Sequence, residues 1–287
     1  MKIRKAVIVA AGRGTRFLPF TKSVPKEMLP LVDKPVIQYA VEEAVACGME
    51  LVIMVTSPEK VALEDYFGKN AELEHALQQK GKNDLLEKIC HLPDLANICF
   101  VHQKEQRGLG DAVLSARAVV GEEPFVLILP DDLFEERELV LQNMLRIFQE
   151  YQGSVIAVKQ VGKDEIGRYG VITPKKIKEN IYQVVDLVEK PKPERSPSNL
   201  AVMGRYVLTH QIFEELASTP SGVGGEIQLT DALKRLLARQ HMYSYEIQGE
   251  YYDSGTIPGW IQATLTLALK HPQMGPQLRS YLNHLLQ

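Results

Sequence analysis

Cysteine is scarce in this 287-residue chain: Cys47, Cys90 and Cys99 are the whole supply, and none stands in a C-x-x-C pair. That argues against a disulfide framework and against a Cys-rich zinc centre. Each cysteine lies within or at the end of an apolar segment, so core packing is its expected role. An excess of one charge is also missing, since 33 Lys and Arg face 36 Asp and Glu, a net charge of −3. This excludes a basic coat for nucleic acid or an anionic membrane, while a few local cations still suffice for one small anion. No apolar run approaches the roughly 20 residues that span a bilayer. The run at residues 6–10 is too short for a signal peptide and ends in glycines, so a cytoplasmic chain is expected. Glycine and proline are near average at 20 and 16 residues, which excludes collagen-like and low-complexity readings. Hydrophobic residues at 45% and charged residues at 24% suit a globular protein and exclude a disordered one.

Several catalytic motifs are missing as well. There is no G-x-x-x-x-G-K-[ST], and the Gly-rich turn near the N-terminus lacks the third glycine of the dinucleotide fingerprint. The histidines form no H-E-x-x-H, which makes a catalytic zinc site an unfavourable reading. No G-x-S-x-G elbow marks a serine nucleophile. A small-molecule kinase fails for want of a P-loop or a catalytic-base motif.

What is present alternates between strand and helix. Residues 6–10, 51–55, 98–101 and 125–129 read as buried strands. Residues 35–47 read as a helix, with Val36, Ile37, Ala40, Val41, Ala44 and Val45 on one face, Pro35 at the start and Gly48 at the stop. Helices are also expected at 59–67, 110–119 and 139–151, and one or two exposed ones within 69–91. Short links between these elements imply a doubly wound, mostly parallel sheet. The second half reads as strands at 154–160, 170–173, 182–188, 201–208 and 242–247, with helices at 213–217, 228–239, 258–269 and 277–286. No linker is long enough to separate a second domain from the first, so one domain over 1–287 is expected. Leu278, Leu282, Leu285 and Leu286 form a C-terminal apolar stripe that either packs on its own subunit or meets a second copy.

Five segments could carry chemistry. The run Ala10-Ala11-Gly12-Arg13-Gly14-Thr15-Arg16 leaves the first strand at the edge where open α/β sheets bind ligands. Glycines there let the backbone approach a phosphate, and Arg13 and Arg16 add charge. A Gly-rich turn alone is weak evidence. Lys26, stiffened by Pro25 and Pro30, is placed to meet a phosphate or simply to face water. Pro130-Asp131-Asp132 ends an apolar strand, and such carboxylates suit Mg²⁺ or serve as a turn cap. Asp253, on the turn Asp253-Ser254-Gly255, is a candidate second carboxylate, and Glu189-Lys190-Pro191 offers an acceptor and a cation side by side.

Gly12-x-Gly14-Thr15-Arg16 followed by residues 25–35, PKEMLPLVDKP, resembles the sugar-nucleotidyltransferase signature in its UTP–glucose-1-phosphate uridylyltransferase form. The likeness continues through Gly108-Leu109-Gly110, Leu129-Pro130-Asp131, Tyr169-Gly170-Val171, Val188-Glu189-Lys190-Pro191, Gly204-Arg205-Tyr206 and Glu226-Ile227-Gln228, nearly the whole chain. It implies an α/β fold with a Rossmann-like, mixed but mainly parallel sheet flanked by helices, extra strands over the sugar pocket and a C-terminal dimerisation segment. The nucleotide half would cover about 1–135, the sugar half about 136–256 and the helical segment about 257–287. By the same resemblance, backbone groups of Ala10, Ala11 and Gly12 would meet the uridine, and Gln103 and Gly108 would read the uracil. Arg16 and Lys26 would hold the triphosphate, and Asp131 and Asp253 would bind Mg²⁺. Tyr169, Gly170, Glu189 and Glu226 would meet the glucose hydroxyls and Lys190 the sugar phosphate, while Gly14, Asp132 and Gly204 complete the substrate contacts.

The implied reaction joins UTP and glucose 1-phosphate into UDP-glucose and pyrophosphate by in-line attack, with no covalent intermediate. The resemblance further implies a homodimer or homotetramer. Two departures stand out: Asp111 where many relatives carry His, and Ser254 where many carry Cys. The carboxylate of Asp253 stays in place, so that Cys is not essential chemistry. A thymidylyl- or other sugar-1-phosphate nucleotidyltransferase is the nearest alternative, since one methyl separates the bases. A non-catalytic nucleotide-sugar sensor is the alternative from another class, opposed by the retention of Lys26, Asp131, Lys190 and Asp253.

Overall fold

The computed structural model describes residues 2–286. Among them the strands run β1 (Lys5–Val9), β2 (Pro30–Leu31), β3 (Lys34–Pro35), β4 (Leu51–Thr56), β5 (Ile98–His102), β6 (Phe125–Ile128) and β7 (Asp132–Phe134). They continue as β8 (Ser154–Gln160), β9 (Gly170–Lys178), β10 (Ile181–Glu189), β11 (Leu200–Leu208), β12 (Met242–Glu246) and β13 (Tyr251–Asp253). Nine of them form one sheet in the order β5-β4-β1-β6-β11-β8-β12-β10-β9.

The four N-terminal strands of that sheet are mutually parallel, as their continuous apolar runs require. Residues of β1 alternate between two cores. Ala6 and Ile8 pack with helices Val36–Ala46 and Arg137–Tyr151, while Val7 faces the opposite layer with helices Leu109–Ser115 and Ile212–Ser218. Burial on both faces is why no polar residue interrupts the run.

The second half differs from a mainly parallel sheet. β11 runs antiparallel to both β6 and β8, and β10 antiparallel to both β12 and β9; only β8 and β12 are parallel there. Parallel and antiparallel neighbours are therefore equal in number across the sheet. Of the antiparallel neighbours, β9 and β10 are joined as a hairpin, and the others are brought together by longer connections. The strip also curls until Val171 of β9 meets Ala201 of β11. This brings Gly170 and its register partner Glu189 over one cavity.

Other differences are local. The region 69–91 holds two helices, Ala71–Gln79 and Asn83–Cys90, and Cys90 is exposed rather than packed in a core. β7 and β13 are three residues each, too short for a periodic signal, and pair antiparallel outside the main sheet. Helices Ile257–Lys270 and Met274–Leu285 close the chain. Leu278 and Leu282 are half-buried there and Leu285 and Leu286 are exposed, so the first half of the stripe packs on its own chain and the second half does not. Among the described residues no helix is long and apolar enough to cross a membrane.

Candidate active site

The loops after β1, β5 and β6 leave the carboxyl ends of parallel strands, while Glu189 and Asp253 end the antiparallel strands β10 and β13. After β1 the chain turns through Gly14, whose φ of 66° lies in the left-handed region. A Cβ there would stand 3.1 Å from both Lys26 Cβ and Thr21 Cγ2, so glycine also lets the Lys26 segment approach. The Thr21 hydroxyl donates to the Gly14 carbonyl at 2.7 Å and fixes the turn. Gly14 therefore shapes the loop and lines neither cavity described below. Ala10 departs from expectation too. Its N–H donates to the Val55 carbonyl at 2.7 Å, its carbonyl accepts from Lys60 Nζ at 2.6 Å, and the residue is fully buried and lines neither cavity described below.

Pro25 opens a turn of 3-10 helix, Lys26–Met28, that directs Lys26 to the end of β6. There Lys26 Nζ donates to Asp131 Oδ2 at 2.6 Å. Burial works against the charge on both groups, but their mutual attraction prevails. Lys26 is held above the ordinary lysine range, helped by Glu27, and Asp131 below the ordinary carboxylate range. Glu27, fully buried, accepts from Lys60 Nζ at 2.7 Å, while its Oε1 has no partner. Burial pushes the Glu27 carboxyl up and the Lys60 ammonium down.

The second carboxylate arrives through β7 and β13, whose register sets Asp253 opposite Asp132. Ser254 anchors the turn, since its N–H and its hydroxyl both donate to the Asp131 carbonyl, at 2.8 and 2.9 Å. That buried hydroxyl is a structural link, with no place for thiol chemistry. A Cβ on Gly255 would stand 2.6 Å from Asp131 Oδ2 and 3.0 Å from Asp253 Oδ1. Asp131 Oδ2, which also accepts from Lys26, and Asp253 Oδ1, which accepts from the Gly255 N–H at 3.1 Å, thus lie close together on the side where glycine carries no side chain. Asp253 Oδ2 accepts from Arg168 at 2.8 Å. Burial and the Asp131 charge raise the carboxyl of Asp253 and push that of Asp132 up to about 7, although the Tyr251 hydroxyl donates to Asp132 at 2.5 Å. Among the described residues no three His, Cys, Asp or Glu side chains group as a closed cage. Two neighbouring carboxylates are a donor set of the kind that hard divalent cations take.

Beneath these loops sits Arg205, fully buried on β11. Its guanidinium meets Glu43 of the helix Val36–Ala46 through two bonds of 2.7 and 2.8 Å. It also donates to the carbonyls of Leu129 and Gly204 at 2.8 and 2.9 Å, bracing the strand end that carries Asp131.

Two cavities of about 640 and 550 Å³ join at Leu109, Leu129, Asp131 and Glu226. Ala11, Gly12, Lys26, Gln103 and Gly108 line the first. Arg16, Asp132, Tyr169, Gly170, Glu189 and Lys190 line the second, with Gly204 and Asp253. Lys190 is exposed, with a φ of 44°, and its Nζ lies 3.4 Å from Glu189 Oε1. Thus all the sequence-predicted site residues except Ala10 and Gly14 face one continuous cleft. Sequence reasoning missed Arg168, Tyr251 and Gln106. Arg168 flanks the Tyr169-Gly170 motif, and Tyr251 opens the run that ends in Asp253, so proximity to a motif was the available signal. Gln106 had none; it accepts from Arg13 Nε at 2.8 Å and donates to the Ala11 carbonyl at 3.0 Å. A cleft with Lys26 bonded to Asp131 at its waist, Arg16 and Lys190 in the second cavity, and hydrogen-bonding groups at each end can bring two phosphorylated molecules together.

Comparisons with known proteins agree with this geometry. Residues 5–269 match the family model described as nucleotidyl transferase. The UTP–glucose-1-phosphate uridylyltransferase of Staphylococcus epidermidis is 48% identical over 284 residues, covering 99% of each chain. The UTP-bound UGPase of Acinetobacter baumannii superposes with a TM-score of 0.91 at 39% identity, covering 98% of this chain and 99% of that one. A UDP-glucose pyrophosphorylase complexed with UDP-glucose gives a TM-score of 0.86 at 43% identity, covering 94% and 100%.

Proposed function

The chain belongs to the nucleotidyl transferase family, and from that premise we propose that it joins UTP to α-D-glucose 1-phosphate, releasing UDP-glucose and pyrophosphate. The observation that carries this reading is the meeting of two cavities at Asp131, with Lys26 bonded to it. UTP occupies the first cavity and the sugar phosphate the second. An oxygen of the sugar phosphate attacks the α-phosphorus in line as pyrophosphate leaves.

Repulsion between two anions is the main barrier, and this chain answers it with placed charge. Lys190 neutralises the attacking phosphate. Arg16 and Lys26 stabilise the departing pyrophosphate. Glu189, Glu226 and Tyr169 orient the sugar, and Gln103 and Gly108 meet the base. Asp131 and Asp253 would hold Mg²⁺, which when bound supplies further charge neutralisation and polarisation at the phosphate. No side-chain nucleophile is required.

The chain works as one domain, with a nucleotide half over about 1–135, a sugar half over about 136–256 and a helical segment over about 257–287. We place the reaction in the cytoplasm, a reading that the three unpaired cysteines support. The helical segment carries a homodimer or homotetramer contact: Trp260, Ile261, Leu265, Met274, Leu278 and Tyr281 line an apolar cavity of about 620 Å³. Pyrophosphate release is the test, with UTP, dTTP, CTP or ATP, with and without glucose 1-phosphate and Mg²⁺. Release is expected only when UTP, the sugar phosphate and the metal are all present. Equal release without glucose 1-phosphate, or a preference for another nucleotide, overturns the proposal.

A further inference from the structure

Gln103 lines the first cavity and is itself almost wholly buried, so its amide must find partners within the chain. Its Nε2 donates to Asp111 Oδ2 at 2.8 Å and to the Gly108 carbonyl at 3.3 Å. A carboxylate and a carbonyl only accept. The reversed amide would set oxygen against oxygen, so the orientation is dictated by these neighbours. No described residue donates to Gln103 Oε1, which leaves the carbonyl end as the side chain's unengaged polar atom.

Asp111 is held as firmly. It is 6% exposed, and Arg107 Nη2 donates to its Oδ1 at 2.8 Å. It also sits in the first turn of the helix Leu109–Ser115, where backbone N–H groups favour a negative charge. A chain of three residues, Arg107, Asp111 and Gln103, therefore ends at the cavity with an acceptor.

We propose that Asp111 is a positioning residue that sets the base preference of the nucleotide site, by locking the Gln103 amide so that it offers only its oxygen. An acceptor at that point suits a base with a ring N–H on its pairing edge. Uracil and thymine carry N3–H. Cytosine presents a bare N3 there, so lone pair would face lone pair, and its bond would go unmade. The preference thus separates UTP from CTP and leaves the uracil–thymine choice to other contacts. This inference rests on the proposed function, because it takes the first cavity as the seat of the base.

The test is the ratio of kcat/KM for UTP to that for CTP, each with glucose 1-phosphate, in the wild-type protein, Asp111→Asn and Asp111→Ala. Asn keeps the size but presents either an oxygen or an NH₂, which frees Gln103 to turn. The ratio is expected to fall roughly 10- to 100-fold in Asp111→Asn, through a higher KM for UTP and a lower one for CTP. Asp111→Ala is expected to move it less, because the Gly108 carbonyl still holds Nε2. Both values come from one preparation, so the ratio does not depend on how much of a variant folds. A merely structural Asp111 lowers both nucleotides together; an unchanged ratio in both variants overturns the inference and leaves the proposed function standing. A wild-type protein that uses neither nucleotide with glucose 1-phosphate overturns the functional reading, and this inference with it.

Discussion

Lys26 and Asp131 are each half-buried and bonded to one another, and each holds the other charged across the neutral range. A preformed charge costs no reorganisation when a phosphate arrives, which is the advantage of a fixed site over water. Asp131→Asn removes one of the two neighbouring carboxylates while keeping the shape. Mg²⁺-dependent turnover is expected to vanish while the circular dichroism spectrum stays that of the wild type. Near-normal pyrophosphate release by this variant sinks the metal assignment. Lys190 is different, since it is exposed and its contact with Glu189 is loose. Lys190→Ala is expected to lower kcat/KM for glucose 1-phosphate by roughly 10²–10³, the usual cost of losing one preorganised charge. Steady-state kinetics with the sugar phosphate varied would show it, and an unaffected KM and kcat would remove Lys190 from the site.

At the scale of elements, the site depends on a join between layers. The helix Val36–Ala46 and β11 are tied by Glu43 and Arg205, both fully buried, 162 residues apart in the chain. The same guanidinium braces Leu129 and Gly204, so the strand end below Asp131 is stiff. Removing one partner of a buried pair strands the other. Arg205→Met is expected to cost about 3–5 kcal/mol in denaturant unfolding, and adding Glu43→Leu to recover some of it. If the single variant unfolds at the wild-type midpoint, the pair is not a brace. β7 and β13 make the corresponding join for the carboxylates. Each is too short to stand alone, yet their register sets Asp132 opposite Asp253.

At the scale of the molecule, the closing helices leave a face that one subunit does not cover. Ile261 is 51% exposed and Tyr281 59%, around the apolar cavity between helices Ile257–Lys270 and Met274–Leu285. Contiguous exposed apolar surface of this kind marks a contact site. Ile261→Glu with Tyr281→Glu is expected to yield the monomer mass in light scattering, and the unaltered chain the mass of a dimer or tetramer. An unaltered chain that is already monomeric overturns the assignment. The active-site cleft is built mainly from other loops, although Pro258, Gly259 and Gln262 of the first closing helix line a neighbouring cavity with Arg16, Arg168 and Asp253.

The sequence by itself determined the apolar strands, the helix faces and the glycine at residue 14, because these answer to local rules of burial and backbone conformation. It also placed the candidate residues on loops and strand ends. Only the tertiary structure decided which charges meet. Lys26 finds Asp131 across 105 residues, Arg168 finds Asp253 across 85, and Gln103 turns its amide because Asp111 stands behind it. Spacing along a chain carries no record of such partners. Electrostatic and hydrogen-bond energies depend on distance in space, and in a half-buried cleft that distance decides whether a group is charged, oriented or idle.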